Sequence, residues 1–193
     1  MPPPGIIDPA DSILLVIDLQ EGFLKKVTPQ RRESCIDHCR FMVQIAARLN
    51  IPLFATVEDP AKHGGTTERV LACFERGLAE RDKRIFGLCS QEDLRGAILA
   101  QPKRTAVLIG LETDVCVLHS AVGLRSQGFR SIIVSDATES PGPARDQGLA
   151  RAAALGVEIV ATRGVYYEWV RSLERMELAL AAPSIAPPAG LVL

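Results

Sequence analysis

The stretch that decides the fold is TAVLIGLETDVCV, residues 105–117. It begins with a short apolar run, breaks at Gly110 and resumes with helical spacing near Thr113, which predicts a buried strand, a turn and a helix. Cys116 then lies about one turn inside that helix, just beyond the carboxyl end of the strand. Because free N–H groups and the helix dipole favour negative charge there, we expect a lowered pKa for the Cys116 thiol. The stretch predicts nucleophilic cysteine chemistry.

The rest of the chain alternates apolar strands with helices. The run ILLVI at 13–17 is continuously apolar and leads into Asp18, as expected of a strand that is buried on both faces. Further strands are predicted at 52–57, 81–86, 106–109, 131–135 and 157–161, and helices at 31–49, 68–80, 91–99, 113–127, 144–155 and 166–181. This alternation predicts an α/β fold of three layers, α/β/α and Rossmann-like, with a mostly parallel central sheet of about six strands.

The domain organisation is predicted to be simple. The 193 residues suffice for one substantial core, and no repeat, linker or second domain interrupts them, so we expect residues 1–193 to form a single domain. Residues 1–10 are proline-rich and are predicted to form an N-terminal arm. Residues 183–193 form a proline-rich C-terminal tail, which we expect to be either disordered or packed on a partner chain.

Composition excludes several classes of function. The formal net charge of −1 predicts no attraction to nucleic acid or to an anionic membrane surface, and no apolar run is long enough to predict a membrane span. The start of the chain lacks the basic segment of a secretory signal. An odd number of cysteines fits a reducing compartment, so we expect a cytoplasmic protein; the five are Cys35, Cys39, Cys73, Cys89 and Cys116.

The residues that could take part in a reaction lie at the ends of the predicted strands. In an open parallel sheet, ligands bind beyond the carboxyl ends of the strands, where Asp18, Asp136 and the turn at 110–116 fall. Asp136 is most simply structural. A thiol nucleophile needs a proton acceptor and a stabilising charge. None of the histidines ends a predicted strand; they are His38, His63 and His119.

An aspartate and a lysine can replace histidine in that role. Asp18, at the end of a strand inside the sheet, would be partly desolvated, which raises the pKa of its carboxyl toward that of a useful base. Lys83 would supply positive charge for a thiolate and for a developing oxyanion. The residues alone therefore favour Asp18, Lys83 and Cys116 as a catalytic group.

Four motifs resemble those of a known family, the isochorismatase-like cysteine hydrolases, over most of residues 11–165. The motifs are VIDLQEGF with Asp18, Gln20 and Phe23; KRIF with Lys83 and Phe86; GLETDVCVLHSA with Gly110, Thr113, Asp114, Cys116 and Val117; and SDAT with Asp136 and Ala137. Each motif is weak alone. Their order and spacing together make the resemblance specific.

The resemblance implies a catalytic triad of Asp18, Lys83 and Cys116. It also implies a non-proline cis peptide at Leu111–Glu112 and an oxyanion hole made by the backbone N–H groups of Glu112 and Cys116. Substrate contacts are expected from Gln20, Phe23, Phe86, Leu111 and His119, although Phe23 and Phe86 are equally well interpreted as core residues. The family's members are commonly oligomers, so a homo-oligomer, either a dimer or a tetramer, is expected.

Two departures from the family narrow the function. Nicotinamidases of this family bind a metal through an Asp-x-His pattern, and the corresponding VEDPAKH segment has none, so we expect no metal, no cofactor and no typical nicotinamidase activity. Isochorismatases proper usually lack the cysteine, so Cys116 argues against vinyl-ether cleavage. The expected activity is hydrolysis of a small-molecule amide or related C–N bond through a covalent thioester-type intermediate.

Two alternative functions remain open. A non-enzymatic binding or scaffold protein could retain the fold, but it would be expected to lose at least one of the three catalytic residues. A redox-reactive thiol protein would need a resolving cysteine near Cys116, for which Cys89 is the candidate. Cys35 and Cys39, four residues apart, supply only half of a structural zinc site.

Overall fold

A six-stranded sheet lies at the centre of the protein, for which a computed structural model describes residues 5–74, 79–181 and 185–193. The strands are β1 Ser12–Ile17, β2 Leu53–Glu58, β3 Glu80–Lys83, β4 Thr105–Leu111, β5 Arg130–Glu139 and β6 Glu158–Val160. Their order is β3-β2-β1-β4-β5-β6, and every neighbouring pair is parallel. The predicted α/β fold with a parallel sheet is confirmed.

Helices connect the strands and cover both faces of the central strands. They are α1 Glu21–Leu24, α2 Pro29–Arg48, α3 Pro60–His63, α4 Glu68–Leu71, α5 Glu92–Leu99, α6 Leu118–Ser126, α7 Ala144–Ala154, α8 Thr162–Val170 and α9 Leu173–Leu180. A π-helical segment, Thr113–Val117, joins β4 to α6. Parallel neighbours require such crossover connections, and with helices on both faces the central strands β1 and β4 are buried at every position.

Strand β1 divides its side chains between two cores. Leu14 and Val16 pack on one face in a cluster that includes residues of α2 and α8. Ile13, Leu15 and Ile17 pack on the other face with residues of α5 and α6. Because successive side chains of a strand point to opposite faces, a strand between two helical layers has to be apolar at every position. This is why the continuous apolar run predicts the centre of the sheet correctly.

Several predicted elements differ in extent from those observed. The strand predicted at 131–135 continues to Glu139, so Asp136 lies within β5 and the prediction that it falls at a strand end is wrong. The predicted helix at 68–80 is shortened to α4, and residues 75–78 lie outside the described part of the chain. The extended piece predicted at 81–86 is β3, which ends at Lys83. The last predicted helix, 166–181, is divided into α8 and α9, because Arg171 adopts a left-handed conformation with φ 62° and Ser172 caps α9 by accepting a hydrogen bond from the Arg175 N–H.

Both termini pack on the domain where they are described. Residues 1–4 of the predicted arm and 182–184 near the tail lie outside the described residues. Ile7 is buried, and its N–H donates to Glu168 at 2.7 Å. Ile185 is buried in the core cluster, against which Leu191 and Leu193 also pack. Residues 185–193 therefore pack on their own chain, which neither of the two predicted alternatives included.

Crossing a bilayer requires a helix of about 20 predominantly apolar residues. Within the described residues, none of the helices is both long and apolar enough. The predicted cytoplasmic location and the single-domain organisation of residues 1–193 stay predictions.

Candidate active site

Four adjacent strands bring polar side chains to one edge of the sheet. In the order β3-β2-β1-β4, Lys83 ends β3, Glu58 ends β2 and Asp18 directly follows β1. Cys116 lies in the π-helical segment that follows β4. Because these strands are parallel, their carboxyl ends meet at the same edge, where open α/β sheets place their ligands.

The ammonium group of Lys83 lies between the other three side chains. Its Nζ is 2.8 Å from Asp18 Oδ2, 3.4 Å from Cys116 Sγ and 3.3 Å from Glu58 Oε2. The side chains of Asp18 and Lys83 are completely buried. Burial of a charge is tolerated when it is paired and hydrogen-bonded, and these contacts satisfy that condition. Residues far apart in the sequence therefore converge on one sulfur atom.

The carboxylate of Asp18 is held by the neighbouring strand. The hydroxyl of Thr56 donates to Asp18 Oδ1 at 2.8 Å, and the Asp18 N–H donates to the Thr56 carbonyl at 3.0 Å. Asp18 itself adopts a left-handed conformation with φ 44°, which aspartate tolerates better than most residues. These constraints leave Oδ2 directed at Lys83.

The electrostatics of the thiol differ from the sequence expectation. Burial, followed by the charge of Asp18, raises the pKa of Cys116 above its ordinary value, and the charge of Lys83 only partly offsets this. The expectation of a lowered pKa is wrong, because desolvation and two carboxylates outweigh the favourable effect of the helix start. A raised pKa favours the protonated thiol, which needs a proton acceptor to become a nucleophile.

Asp18 has the properties of such an acceptor. Burial raises the pKa of its carboxyl, while the ion pair with Lys83 acts in the opposite direction. For Lys83, burial acts to lower the pKa, but the charges of Asp18, Cys116 and Glu58 outweigh it and raise the pKa. A carboxyl with a raised pKa next to a lysine that stays charged can take a proton from the thiol and return it later.

Glu58 is the site residue that the motifs do not predict. Its Oε2 is 3.3 Å from Lys83 Nζ and accepts a hydrogen bond from Cys116 Sγ at 3.4 Å. Its backbone is held by Gln20, whose Oε1 accepts from the Glu58 N–H at 2.7 Å and whose Nε2 donates to the Glu58 carbonyl at 3.0 Å. The available signal was the position of Glu58 at the end of the strand next to β1.

The end of β4, just before the turn that leads to Cys116, is packed against the end of β1. Gly110 has φ 114°, and a Cβ atom there would lie 2.0 Å from the Ile17 carbonyl oxygen. Only glycine allows this approach. The hydroxyl of Thr138 donates to the Gly110 carbonyl at 2.7 Å. The Leu111–Glu112 peptide is cis, as the resemblance implied.

The backbone N–H groups implied for an oxyanion hole lie at this turn. The Glu112 carbonyl accepts from the N–H groups of Val115 and Val117 at 3.2 and 3.1 Å. Within the described part of the chain, no acceptor takes the N–H of Glu112 itself. The Glu112 side chain pairs with Lys26 at 3.0 Å, away from the sulfur. An unpaired N–H one turn before Cys116 is compatible with binding a substrate oxygen.

The residues predicted to contact substrate fall into two groups. Gln20 and Leu111 are completely buried, and Phe23 is nearly so, with its ring stacked on that of His63 at 4.5 Å between centroids. Phe86 is 51% exposed, and its ring meets that of His119, which is also exposed, edge to face at 6.3 Å. Gln20 therefore acts on Glu58, and the exposed pair Phe86–His119 is the better candidate for a substrate contact.

Among the described residues, one group of three side chains has atoms close enough for a metal ion. Oxygen atoms of Asp18 and Glu58 and the sulfur of Cys116 lie within 4.8 Å of one another. The Lys83 ammonium, however, already lies within 3.4 Å of all three. A cation bound there would be repelled by the lysine, so these residues fit a lysine-centred site better than a metal centre.

The sequence is similar to those of known proteins. The sequence matches the isochorismatase domain over residues 12–164. It is 32% identical over 139 residues to the secreted isochorismatase effector Isc1 of Phytophthora sojae; the alignment covers 70% of this chain and 65% of the effector, less than two thirds of that protein.

The fold is also shared with solved structures. YcaC from Pseudomonas aeruginosa, solved with hexane-2,5-diol and covalent acrylamide, superposes with a TM-score of 0.83 at 22% identity, covering 94% of this chain and 91% of YcaC. The YcaC gene product of Escherichia coli, an octameric hydrolase of unknown specificity, gives a TM-score of 0.81 at 20% identity, covering 94% and 92%. At these identities the likeness shows the fold.

Proposed function

The chain belongs to the isochorismatase family, and from this membership and the geometry around Cys116 we propose that it is a cysteine-dependent hydrolase of a small amide or related C–N bond. Family membership supports a hydrolase. The observation that carries the finer proposal is the line of contacts in which Lys83 Nζ lies 2.8 Å from Asp18 Oδ2 and 3.4 Å from Cys116 Sγ. A buried acid, a cation and a thiol in contact form the set that acyl transfer needs.

The first half of the proposed reaction acylates the sulfur. Asp18 accepts the proton of the Cys116 thiol, and the sulfur attacks the carbonyl carbon of the substrate. A C–S bond forms, and the carbonyl oxygen becomes an oxyanion that the backbone N–H groups of Glu112 and Cys116 stabilise. Loss of one such donor typically costs about 2.7–4 kcal/mol of transition-state stabilisation. The positive charge of Lys83 compensates the negative charge that develops in the buried site.

The second half releases the product. The C–N bond breaks as Asp18 returns its proton to the leaving nitrogen, which departs as an amine or ammonia and leaves a thioester on Cys116. Water then attacks the thioester carbon while Asp18 accepts a proton from it. The C–S bond breaks, the acid product leaves, and Cys116 regains its proton. The protein ends the cycle unchanged, so no cofactor is consumed.

The two alternative functions have less support from the contacts of the site. A binding or scaffold protein would not need Asp18, Lys83 and Cys116 in mutual contact. A redox function would need a partner thiol, but Cys89 packs against Gly123, seven residues beyond Cys116. Its sulfur lies 3.5 Å from the position of a Cβ atom at Gly123.

We also propose that the protein self-associates. Leu173 and Leu178 of α9 are 70% and 65% exposed, and exposed apolar side chains of this size often mark an interface. The octameric state of the E. coli YcaC gene product supports the same proposal. Light scattering of the purified protein would distinguish a monomer from the expected dimer or tetramer and from an octamer.

A screen of primary amides and ureas tests the proposed function. Release of ammonia or amine would be followed for the wild type, Cys116→Ala and Cys89→Ala. We expect the first variant to lose turnover and the second to keep it, and we expect denatured samples quenched during turnover to show the mass of an acyl group on the Thr105–Arg125 tryptic peptide. Equal turnover by wild type and Cys116→Ala would eliminate thiol catalysis.

A further inference from the structure

Glu58 differs from the other charged groups around the sulfur in its access to solvent. Its side chain is 19% exposed, whereas those of Asp18 and Lys83 are completely buried. Its Oε2 contacts both Lys83 Nζ and Cys116 Sγ. No described residue donates a hydrogen bond to its Oε1. Glu58 therefore presents a free acceptor on the solvent side of the reacting sulfur.

The charges of the site do not cancel. In the described part of the chain, Lys83 is the one cation in contact with these acids, and it is already paired with Asp18 at 2.8 Å, the shortest of its contacts with them. Glu58 adds a second carboxylate next to the same ammonium, so the charged side chains in contact with Lys83 leave an excess of one negative charge. In a partly dry site, this excess acts on a bound substrate more strongly than it would in water.

The position of Glu58 is enforced by its surroundings. Gln20 is completely buried and hydrogen-bonds both backbone polar groups of Glu58. Glu58 is also the register partner of Lys83 across β2 and β3. A carboxylate held by its backbone in this way is a fixed part of the site, and its electrostatic effect on a substrate does not depend on a side chain that moves in from the surface.

We propose that Glu58 determines the specificity of the site by accepting a hydrogen bond from an N–H group on, or next to, the carbon that the sulfur attacks, so that the site takes uncharged or cationic amides and ureas and rejects compounds with a carboxylate in that place. This inference rests on the proposed function, because it names the substrate class of the same site. An uncharged amide N–H fills the acceptor at Oε1, whereas a carboxylate meets like charge and leaves that acceptor unpaired.

Two alkylating reagents of matched size test this inference without a known substrate. Iodoacetamide carries a neutral amide, and iodoacetate carries a carboxylate in its place. With either reagent the sulfur displaces iodide, a C–S bond forms, the C–I bond breaks, and the thiol proton passes to solvent. The modified Cys116 is quantified by mass spectrometry in the Thr105–Arg125 peptide, which contains no other cysteine.

The measured quantity is the ratio of the rate constants for iodoacetamide and iodoacetate, divided by the same ratio for glutathione. A change in the pKa of Cys116 alters both rates equally and cancels in the ratio. We expect the normalised ratio of the wild type to be about 10 or more, since local fields of this kind change encounter rates at least about tenfold. We expect Glu58→Gln, which keeps the shape and removes the charge, to bring it close to 1.

Asp59→Asn is the matched control. It removes the same charge at the adjacent position, where the aspartate is 38% exposed, pairs with Arg84 at 3.4 Å and has φ 42°, a conformation that asparagine also tolerates. We expect its ratio to stay within about twofold of the wild-type value, because surface charge is screened by water and salt. An equal fall of the normalised ratio in both variants would show that the net charge of the protein causes the selectivity. It would overturn the assignment of that selectivity to Glu58.

The wild-type ratio alone can also overturn the inference, which matters if Glu58→Gln folds poorly. A value near 1 for the native protein would mean that the site does not distinguish the amide from the carboxylate. The failure of this inference is separate from failure of the proposed function. Turnover that depends on Cys116 with an unselective alkylation ratio removes only the role of Glu58, whereas turnover unaffected by Cys116→Ala removes the hydrolase itself.

Discussion

The side-chain amide of Gln20 is hydrogen-bonded to both backbone polar groups of Glu58. The Glu58 N–H donates to Gln20 Oε1 at 2.7 Å, and Gln20 Nε2 donates to the Glu58 carbonyl at 3.0 Å and to the Gly64 carbonyl at 2.6 Å. Gln20 thereby joins the segment after β1 to the end of β2 and to the loop beyond it. Gln20, for which a substrate contact is predicted, thereby positions the carboxylate that contacts the sulfur.

We expect Gln20→Met to destabilise the protein through those backbone groups. The side chain is completely buried, so methionine would leave the Glu58 N–H and carbonyl without partners in a place that water does not reach. Each buried unpaired group costs about 1–3 kcal/mol, so a loss of roughly 2–5 kcal/mol in the free energy of unfolding is expected, measured by urea denaturation.

Gln91→Met is the control for that measurement. Gln91 makes the same kinds of bonds, accepting from the Arg84 N–H at 2.9 Å and donating to the Asp82 carbonyl at 3.0 Å, but in an exposed loop. Water can replace those bonds, so we expect a loss of about 1 kcal/mol or less. Equal losses in the two variants would contradict the special position of Gln20.

The fold is largely predictable because burial on both faces leaves a plain sequence signal. The runs at 13–17 and 106–109 are apolar at every position, and both lie in the middle of the observed sheet. The ends of helices and strands in polar segments are harder to predict. The break between α8 and α9 depends on the left-handed conformation of one residue, Arg171, which the spacing of apolar residues does not predict.

The candidate site is predictable only in part. Asp18, Lys83 and Cys116 can be identified because a strand end and a motif mark them. Glu58 lies at a strand end but belongs to none of the motifs, and its contact with the sulfur depends on the order β3-β2-β1-β4 and on the register of Glu58 with Lys83. The pKa of the thiol is equally hidden, because it follows from burial and from side chains distant in the sequence.

We expect Asp18→Asn to make Cys116 more reactive toward iodoacetamide while abolishing turnover. The charge of Asp18 contributes to raising the pKa of the thiol, so its removal lowers that pKa and increases the thiolate fraction at any pH below it. Turnover should nevertheless fall by about 100-fold or more, because asparagine cannot accept the proton. Alkylation rates between pH 7 and 10, followed on the Cys116 peptide, give the first result.

Cys89 provides an internal control in the same samples. Burial raises the pKa of Cys89, and Asp18 makes no contribution to that shift. We therefore expect the pH profile for alkylation of Cys89 to be identical in wild type and Asp18→Asn. If both cysteines became more reactive, the variant would have opened the structure. If the variant retained turnover, Asp18 would not be the base.

We expect Gly110→Ala, near the end of β4, to cause a large loss in the free energy of unfolding. Its Cβ would lie 2.0 Å from the Ile17 carbonyl oxygen, and that backbone belongs to the buried strand β1. A clash between two buried backbones cannot relax locally, so we expect a loss of about 4 kcal/mol or more, or failure to fold. Gly128→Ala is the comparison, because φ is also positive there, at 84°, but nothing lies within 4 Å of the added atom.

That comparison separates two causes of damage. At Gly128 only the left-handed conformation is unfavourable, at a cost of about 1–2 kcal/mol. The difference between the two variants therefore measures the close approach of β4 to β1 at Gly110. Thermal denaturation followed by circular dichroism is sufficient for both. Similar melting temperatures for the two variants would show that Gly110 does not pack against β1 as it does in the structure.

Replacement of Lys83 by methionine tests how strongly the site depends on its cation. The variant leaves the buried carboxylate of Asp18 without its partner at 2.8 Å, and breaking a buried pair in this way costs about 3–5 kcal/mol. Because Lys83 acts to lower the pKa of Asp18, its loss raises the folded-state pKa further above the ordinary value of 3.8. An acid whose pKa is raised in the folded state favours folding at pH values below its pKa in the unfolded state. This contribution to stability is lost as the pH rises through its pKa in the folded state.

The free energy of unfolding of Lys83→Met, compared with that of the wild type, should therefore increase as the pH falls from neutral toward 5. Urea denaturation at each pH measures it. The double variant Asp18→Asn/Lys83→Met, which removes both charges, should be more stable than Lys83→Met alone at pH 7. Lys103→Met is the control: Lys103 donates to the Ala10 carbonyl at 2.6 Å near the surface, and its loss should leave the pH dependence unchanged. If the double variant were no more stable than Lys83→Met, the lysine would not be compensating Asp18, and the charge assignment on which the proposed reaction depends would fail.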